Sequence, residues 1–272
     1  LPFLDMDHSH HEDNRSQQEY QVELLGKAVE LRQVVVPIEP LSRDRNRRGS
    51  ECKRGGGKDD GSIRPVQLTV ELLQRRTSVV CAKCAGEKAF VSGADISQFN
   101  THRNGDASTH YNDATQAGYA AVLDCPKPTV AKIRGVCMGG GLGLALNCDV
   151  RICSDDVRFR MPAGRLGLGY AFDGIKRFTE VVGVANTADL FYSARIFGAA
   201  DALHMGLVKQ VTSVGELDAV VDAYAANVCE NAPLTLAAAK RALLELRKNP
   251  ADRDLDRVKA MVEACFMSEE YK

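Results

Sequence analysis

Apolar residues along the chain fall into short β-branched runs that alternate with longer stretches repeating every three or four positions, the pattern of strands interleaved with helices. Val34–Val36 reads as a strand ended by Pro37 and Pro40. Further strands are predicted at 78–83, at Ala89, Phe90 and Val91, and at Thr129–Ile133, which Pro126 and Pro128 set apart from any preceding helix. Helical spacing covers 97–124, with a break around Gly105, and returns at 174–178, 216–227, 234–248 and 252–266. Asn249-Pro250 parts the last two. In the first of these helices Ala114, Ala117, Gly118, Ala121 and Val122 form a small-residue face suited to close packing. Tyr20–Leu31 is compatible with a helix or a strand pair.

The stretch KPTVAKIRGVCMGGGLGLALNCD, residues 127–149, stands out from this pattern. A strand runs to a turn at Gly135, and a helix carrying Leu142, Leu144, Ala145 and Leu146 opens out of Gly139, Gly140 and Gly141. First-turn N–H groups of such a helix lack intrahelical partners and stabilise a negatively charged oxygen. Leu144 excludes a dinucleotide G-x-G-x-x-G, and no Lys-Ser/Thr follows the glycines as a phosphate loop requires. The alternative use of the glycines is tight helix-to-sheet packing. A second segment, KAFVSGADI at 88–96, also passes from strand end through a turn, Ser92-Gly93, into a helix that Asp95 can cap. Two such turns can direct two N–H donors at one oxygen.

These two segments, followed by RFRMPAGRLGLGY, GIKRF and SARIFGAADALHMGLVKQV, resemble the crotonase (enoyl-CoA hydratase/isomerase) superfamily from residue 78 to residue 268. The resemblance implies an α/β fold, the crotonase (ClpP-like) spiral of ββα units with a C-terminal helical trimerisation region. Residues 1–62 would be a poorly matching, partly disordered region, 63–212 the crotonase core and 213–272 the helical region. It implies an acyl-CoA thioester as substrate, with coenzyme A part of that substrate and neither separate cofactor nor metal. The thioester oxygen would lie between the backbone amides of Ala94 and Gly140, and Ser92, Asp95 and Ile96 fall at positions near the coenzyme moiety. For Asp95 the helix cap remains an equal alternative. A homotrimer or hexamer is the assembly implied.

Hydratases of the family carry two glutamates where this chain has Gly143 and Ala163, so the resemblance does not extend to the acid/base pair that water addition needs. Tyr170 lies where the stretch resembles that of methylmalonyl-CoA decarboxylase, which uses a tyrosine in this loop; aromatic packing is its other reading. Asp173 is the loop's carboxylate, a base or nucleophile on one reading and a helix cap on the other. His102 and His110 fall where family members line the acyl pocket and are otherwise surface histidines. The resemblance therefore points to an enoyl-CoA hydratase/isomerase-type enzyme, with a malonyl-type decarboxylase and a non-catalytic acyl-CoA-binding subunit as alternatives.

Composition narrows the partners. A net charge of -1 over 272 residues offers no basic field for nucleic acid or an anionic membrane, and no apolar run has the length of a span. Nine cysteines without framework spacing suit reduced thiols and a cytoplasmic location. The Cys81/Cys84 pair has no second pair to complete a zinc site. The opening LPFLDMDHSHHEDN reads as a mobile polar tail rather than a signal peptide or metal site, and 42–62 as a solvated polar loop rather than a polybasic arm. No opening hairpin, N-R-P turn or long helix of the family is legible in residues 1–75, and the chain ends at Lys272, before the family's final basic segment.

Overall fold

The computed structural model describes β1 (Val34–Val36), β2 (Val66–Leu72) and residues 79–84, 88–93 and 106–271, all within the unit spanning 33–272. The expected tail, the 20–31 element, the 42–62 loop, Ala94, Asp95, Ile96, His102 and the side chains of Cys84 and His110 lie outside the described residues.

Three successive units follow one plan. β3 (Val80–Cys84), β5 (Thr129–Ile133) and β7 (Val150–Ser154) pair in parallel in one sheet, while β4 (Ala89–Val91), β6 (Val136–Met138) and β8 (Arg158–Arg160) pair in parallel in a second. Each unit thus gives its first strand to one sheet and its second to the other, then returns through a helical segment. These are α1 (Asp106–Leu123), α2 (Gly140–Asn147) and, after a 3-10 turn at Ala163–Leu166, α3 (Phe172–Ser193). The larger sheet has the order β1-β2-β3-β5-β7-β10 and the smaller β4-β6-β8-β9, with β9 at Ile196–Gly198, α4 at Ala199–His204 and β10 at Gln210–Thr212. This is the predicted spiral of ββα units. The N-terminal region contributes more than the sequence pattern shows: β1 and β2 pair antiparallel and extend the sheet from β3.

Strand alternation divides the core. Val80, Ala82, Ala131, Ile133 and Cys153 face the main cluster with α2, whereas Val79, Cys81, Val130 and Ile152 face Leu217, Val221 and Ala225 of α5 (Leu217–Cys229). Residues 141–147 of α2 are all buried, and all but Asn147 are apolar or glycine. Gly141 lets it lie against β4, since a Cβ there would stand 2.3 Å from the Val91 carbonyl oxygen. The C-terminal helices α6 (Pro233–Leu246) and α7 (Leu255–Phe266) complete the chain. Lys240 of α6, 4% exposed, places Nζ 2.7 Å from both carboxylate oxygens of Asp149, whose Oδ2 also accepts from the Thr129 amide and hydroxyl. One carboxylate thereby ties α6 to the β5–β7 edge.

Some boundaries move. The helix predicted at 174–178 runs to Ser193, with a kink at Gly183. On α1, Gly118 and Val122 are buried as expected, but Ala117 and Ala121 are exposed: the packed stripe is narrower and includes the half-buried Tyr119.

Candidate active site

The centre of the site is the entry into α2. Gly139 takes φ 52°, a conformation glycine adopts without a Cβ penalty; its N–H donates to Arg160 O of β8 and its carbonyl accepts from Gly143. Gly140 is the first helical residue, and among the described residues its N–H has no carbonyl acceptor. The Ser92-Gly93 turn abuts this point: a Cβ on Gly93 would lie 3.2 Å from Met138 O and 3.7 Å from Gly140 N. The fold therefore brings the two predicted turns together, with Ser92 half-buried beside them. Pro162, next to the buried Ala163, closes the other side, its Cδ 3.7 Å from a Cβ placed on Gly139.

Beyond the turn is a cavity of about 140 Å³ walled by Tyr119 of α1, Gly143 and Asn147 of α2, Tyr170, Asp173 and Arg177 at the start of α3, and Arg247 after α6. Tyr119 was not singled out by the sequence, yet it controls the centre. Its hydroxyl donates to Gly140 O at 2.8 Å and sits 2.6 Å from where a Cβ on Gly143 would be. A side chain at 143 can enter only if Tyr119 moves.

Tyr170 and Asp173, the loop candidates of the sequence, both line this cavity. The Tyr170 ring meets Phe191 and Phe178 edge-on, at centroid distances of 5.0 and 6.1 Å, and burial pushes its phenol up to about 12. It is therefore both a packing residue and a permanently protonated donor at neutral pH. Asp173 is not the helix cap: Ala171 holds that position without a side-chain bond, and Asp173 lies exposed in the first turn.

The sequence also did not single out two arginines at the far wall. Arg177 donates from Nε to Leu146 O at 2.7 Å and from Nη1 to Glu180 at 3.2 Å; burial first, then the cations Arg247 and Arg151, pulls its guanidinium down to about 10. Arg247 donates from Nε to the same Glu180 oxygen at 2.9 Å, and its buried Nη1 has no partner among the described residues. Arg177 is visible in GIKRF, but its sharing of Glu180 with Arg247, the residue after α6, is a tertiary feature. No group of three or more His, Cys, Asp or Glu side chains among the described residues could hold a metal ion.

With this geometry established, comparison with known proteins is direct. The sequence model of the Enoyl-CoA hydratase/isomerase family matches residues 70–272. The chain is 31% identical over 188 residues to the short-chain-enoyl-CoA hydratase of Clostridium acetobutylicum, covering 69% of this chain and 72% of that protein. It is 31% identical over 205 residues to the peroxisomal Delta(3,5)-Delta(2,4)-dienoyl-CoA isomerase of Arabidopsis thaliana, covering 71% and 73%. Among solved structures, an enoyl-CoA hydratase/carnithine racemase from Magnetospirillum magneticum superposes with a TM-score of 0.66 at 29% identity, covering 74% and 75% of the two chains. The chain belongs to the enoyl-CoA hydratase/isomerase family of enzymes, the crotonase superfamily.

Proposed function

We propose that the protein transforms an acyl-CoA thioester by stabilising an enolate-like oxygen at the entry to α2. The observation that carries this reading is the Gly140 N–H, which has no carbonyl acceptor among the described residues and is held beside the Ser92-Gly93 turn. In the proposal the Ala94 amide is the second donor, Ser92, Asp95 and Ile96 contact the coenzyme moiety, and coenzyme A enters only as part of the substrate. Fixed donors of this kind, aimed at developing charge, are each worth about 3 kcal/mol at the transition state. Exposed apolar residues on α6 and α7, among them Leu243, Leu255 and Phe266, support a homotrimer or hexamer. We retain a cytoplasmic location as part of the proposal; no helix among the described residues is long and apolar enough to cross a membrane.

The positions matching the family's two glutamates offer neither acid nor base, and Tyr119 fills the space beside one of them. This favours a reaction that needs the amide pair and proton donors rather than activated water. Decarboxylation of a malonyl-type thioester is the specific alternative, with Tyr170 as the hydroxyl donor. Asp173 is the carboxylate available for proton transfer if the reaction is an isomerisation.

The test is incubation of the purified protein with crotonyl-CoA and, separately, methylmalonyl-CoA, followed by mass spectrometry beside Gly140→Pro. Turnover of either thioester that disappears in the variant supports the reading. Turnover equal in both proteins removes Gly140 from the mechanism.

A further inference from the structure

The far wall of the cavity holds more positive charge than the fold neutralises. Arg177 and Arg247 share one oxygen of Glu180, and Arg247 Nη1 is buried without an acceptor among the described residues. A buried charged donor without a partner is unfavourable, so an acceptor brought within its reach recovers that cost. The start of α3 forms the adjacent wall. Ile175 is the residue whose N–H closes the first turn onto Ala171 O, and Asp173 and Gly174 line the cavity ahead of it. The N–H groups of those two residues have no carbonyl acceptor among the described residues. The Asp173 carboxylate opposes an anion, but it is exposed, whereas the guanidiniums are largely buried. Gly143, about one helical turn from the Gly140 amide, lines the same cavity.

We propose that the cavity takes acyl-CoA thioesters whose acyl chain ends in a carboxylate, bound at its free end by Arg247 and Arg177 while the thioester oxygen meets Gly140. This rests on the acyl-CoA reading given above. Planar guanidiniums suit a carboxylate because they can donate two parallel bonds to it. Burial and neighbouring cations already hold the Arg177 guanidinium below its ordinary range, a strain that an anion in the cavity relieves.

Titration calorimetry of the full chain with glutaryl-CoA, pentanoyl-CoA and free coenzyme A tests it, since the two thioesters share a five-carbon acyl chain and differ in the terminal carboxylate. Glutaryl-CoA should bind at least about tenfold tighter than pentanoyl-CoA. Arg247→Met should shrink that preference to within about twofold, and Asp173→Asn should widen it. Arg247→Gln provides a second variant, and the wild-type comparison needs neither. Equal binding of the two thioesters, or preference for the pentanoyl chain, overturns the carboxylate proposal and leaves the acyl-CoA reading standing. Failure of both thioesters and of coenzyme A to bind overturns the two together.

Discussion

Tyr119 and Gly143, on helices α1 and α2, are complementary: the tyrosine hydroxyl occupies the space that a side chain at 143 would need, 2.6 Å from the missing Cβ. The same hydroxyl is anchored on Gly140 O. The residue beside the proposed oxyanion site is therefore a phenol from another helix rather than a group on α2 itself.

Tyr119→Phe keeps the ring and removes the bond to Gly140. We expect unfolding free energy to fall by about 1 kcal/mol, read by urea denaturation. The accompanying double variant Gly143→Glu/Ala163→Glu should gain little crotonyl-CoA hydration. Adding Tyr119→Ala to it should raise hydration at least about tenfold, because only then is there room for a glutamate at 143. Equal activity with and without Tyr119→Ala would show that the tyrosine does not obstruct.

Gly140→Pro deletes one N–H at a position where a helix tolerates proline. Turnover of whichever thioester is a substrate should fall about 10²- to 10³-fold with the circular dichroism spectrum retained.

Lys240→Met removes the cation that lies 2.7 Å from both Asp149 oxygens and leaves the carboxylate with only the Thr129 donors. A loss of about 3 kcal/mol in unfolding free energy is expected, measured by denaturant titration. A change below about 0.5 kcal/mol would mean that solvent already screens the pair.

Alkaline pH should destabilise the fold through buried acids. Burial holds the Cys148 and Cys153 thiols up at about 12, from 9.0, and the Tyr170 phenol at about 12, from 10.0. As pH rises through this window the unfolded chain loses these protons first, so it binds fewer protons than the native state and stability falls. Arg177 acts in the opposite sense, since burial and the neighbouring cations hold its folded-state guanidinium below the ordinary 12.5. The expected result is a melting temperature that declines steadily from pH 9. Cys148→Ala should flatten that decline, and thiol reagents should reach Cys148 and Cys153 only through unfolding.

The repeat of two short strands and a helix was legible because each buried strand is a compact β-branched or small-apolar run between turn residues, as Thr129–Ile133 shows. The glycine run was legible for the same reason: it opens α2 where expected, at Gly140. Tyr170 and Asp173, which line the cavity, were candidates through the family likeness of their loop. Tyr119 was not, because nothing in α1 states which of its faces crosses α2; the available signal was that Gly140 and Gly143 vacate one side of α2, one turn apart. Arg247 was hidden for a related reason. Glu180 and Arg177 lie on α3, and only the approach of the end of α6 to α3 brings the three together.

Helix α2 is buried along its length, and its last carbonyls are held by cations: Arg151 donates to Cys148 O at 2.7 Å and Arg177 to Leu146 O at 2.7 Å. Eight residues of helix separate these charges from Gly140 by about 12 Å. At that range, through an apolar interior, two cations still raise the positive potential felt at the opposite end of the helix. The affinity of the site for a developing negative charge is consequently adjustable from behind, by side chains seated at the C-terminal end of the helix.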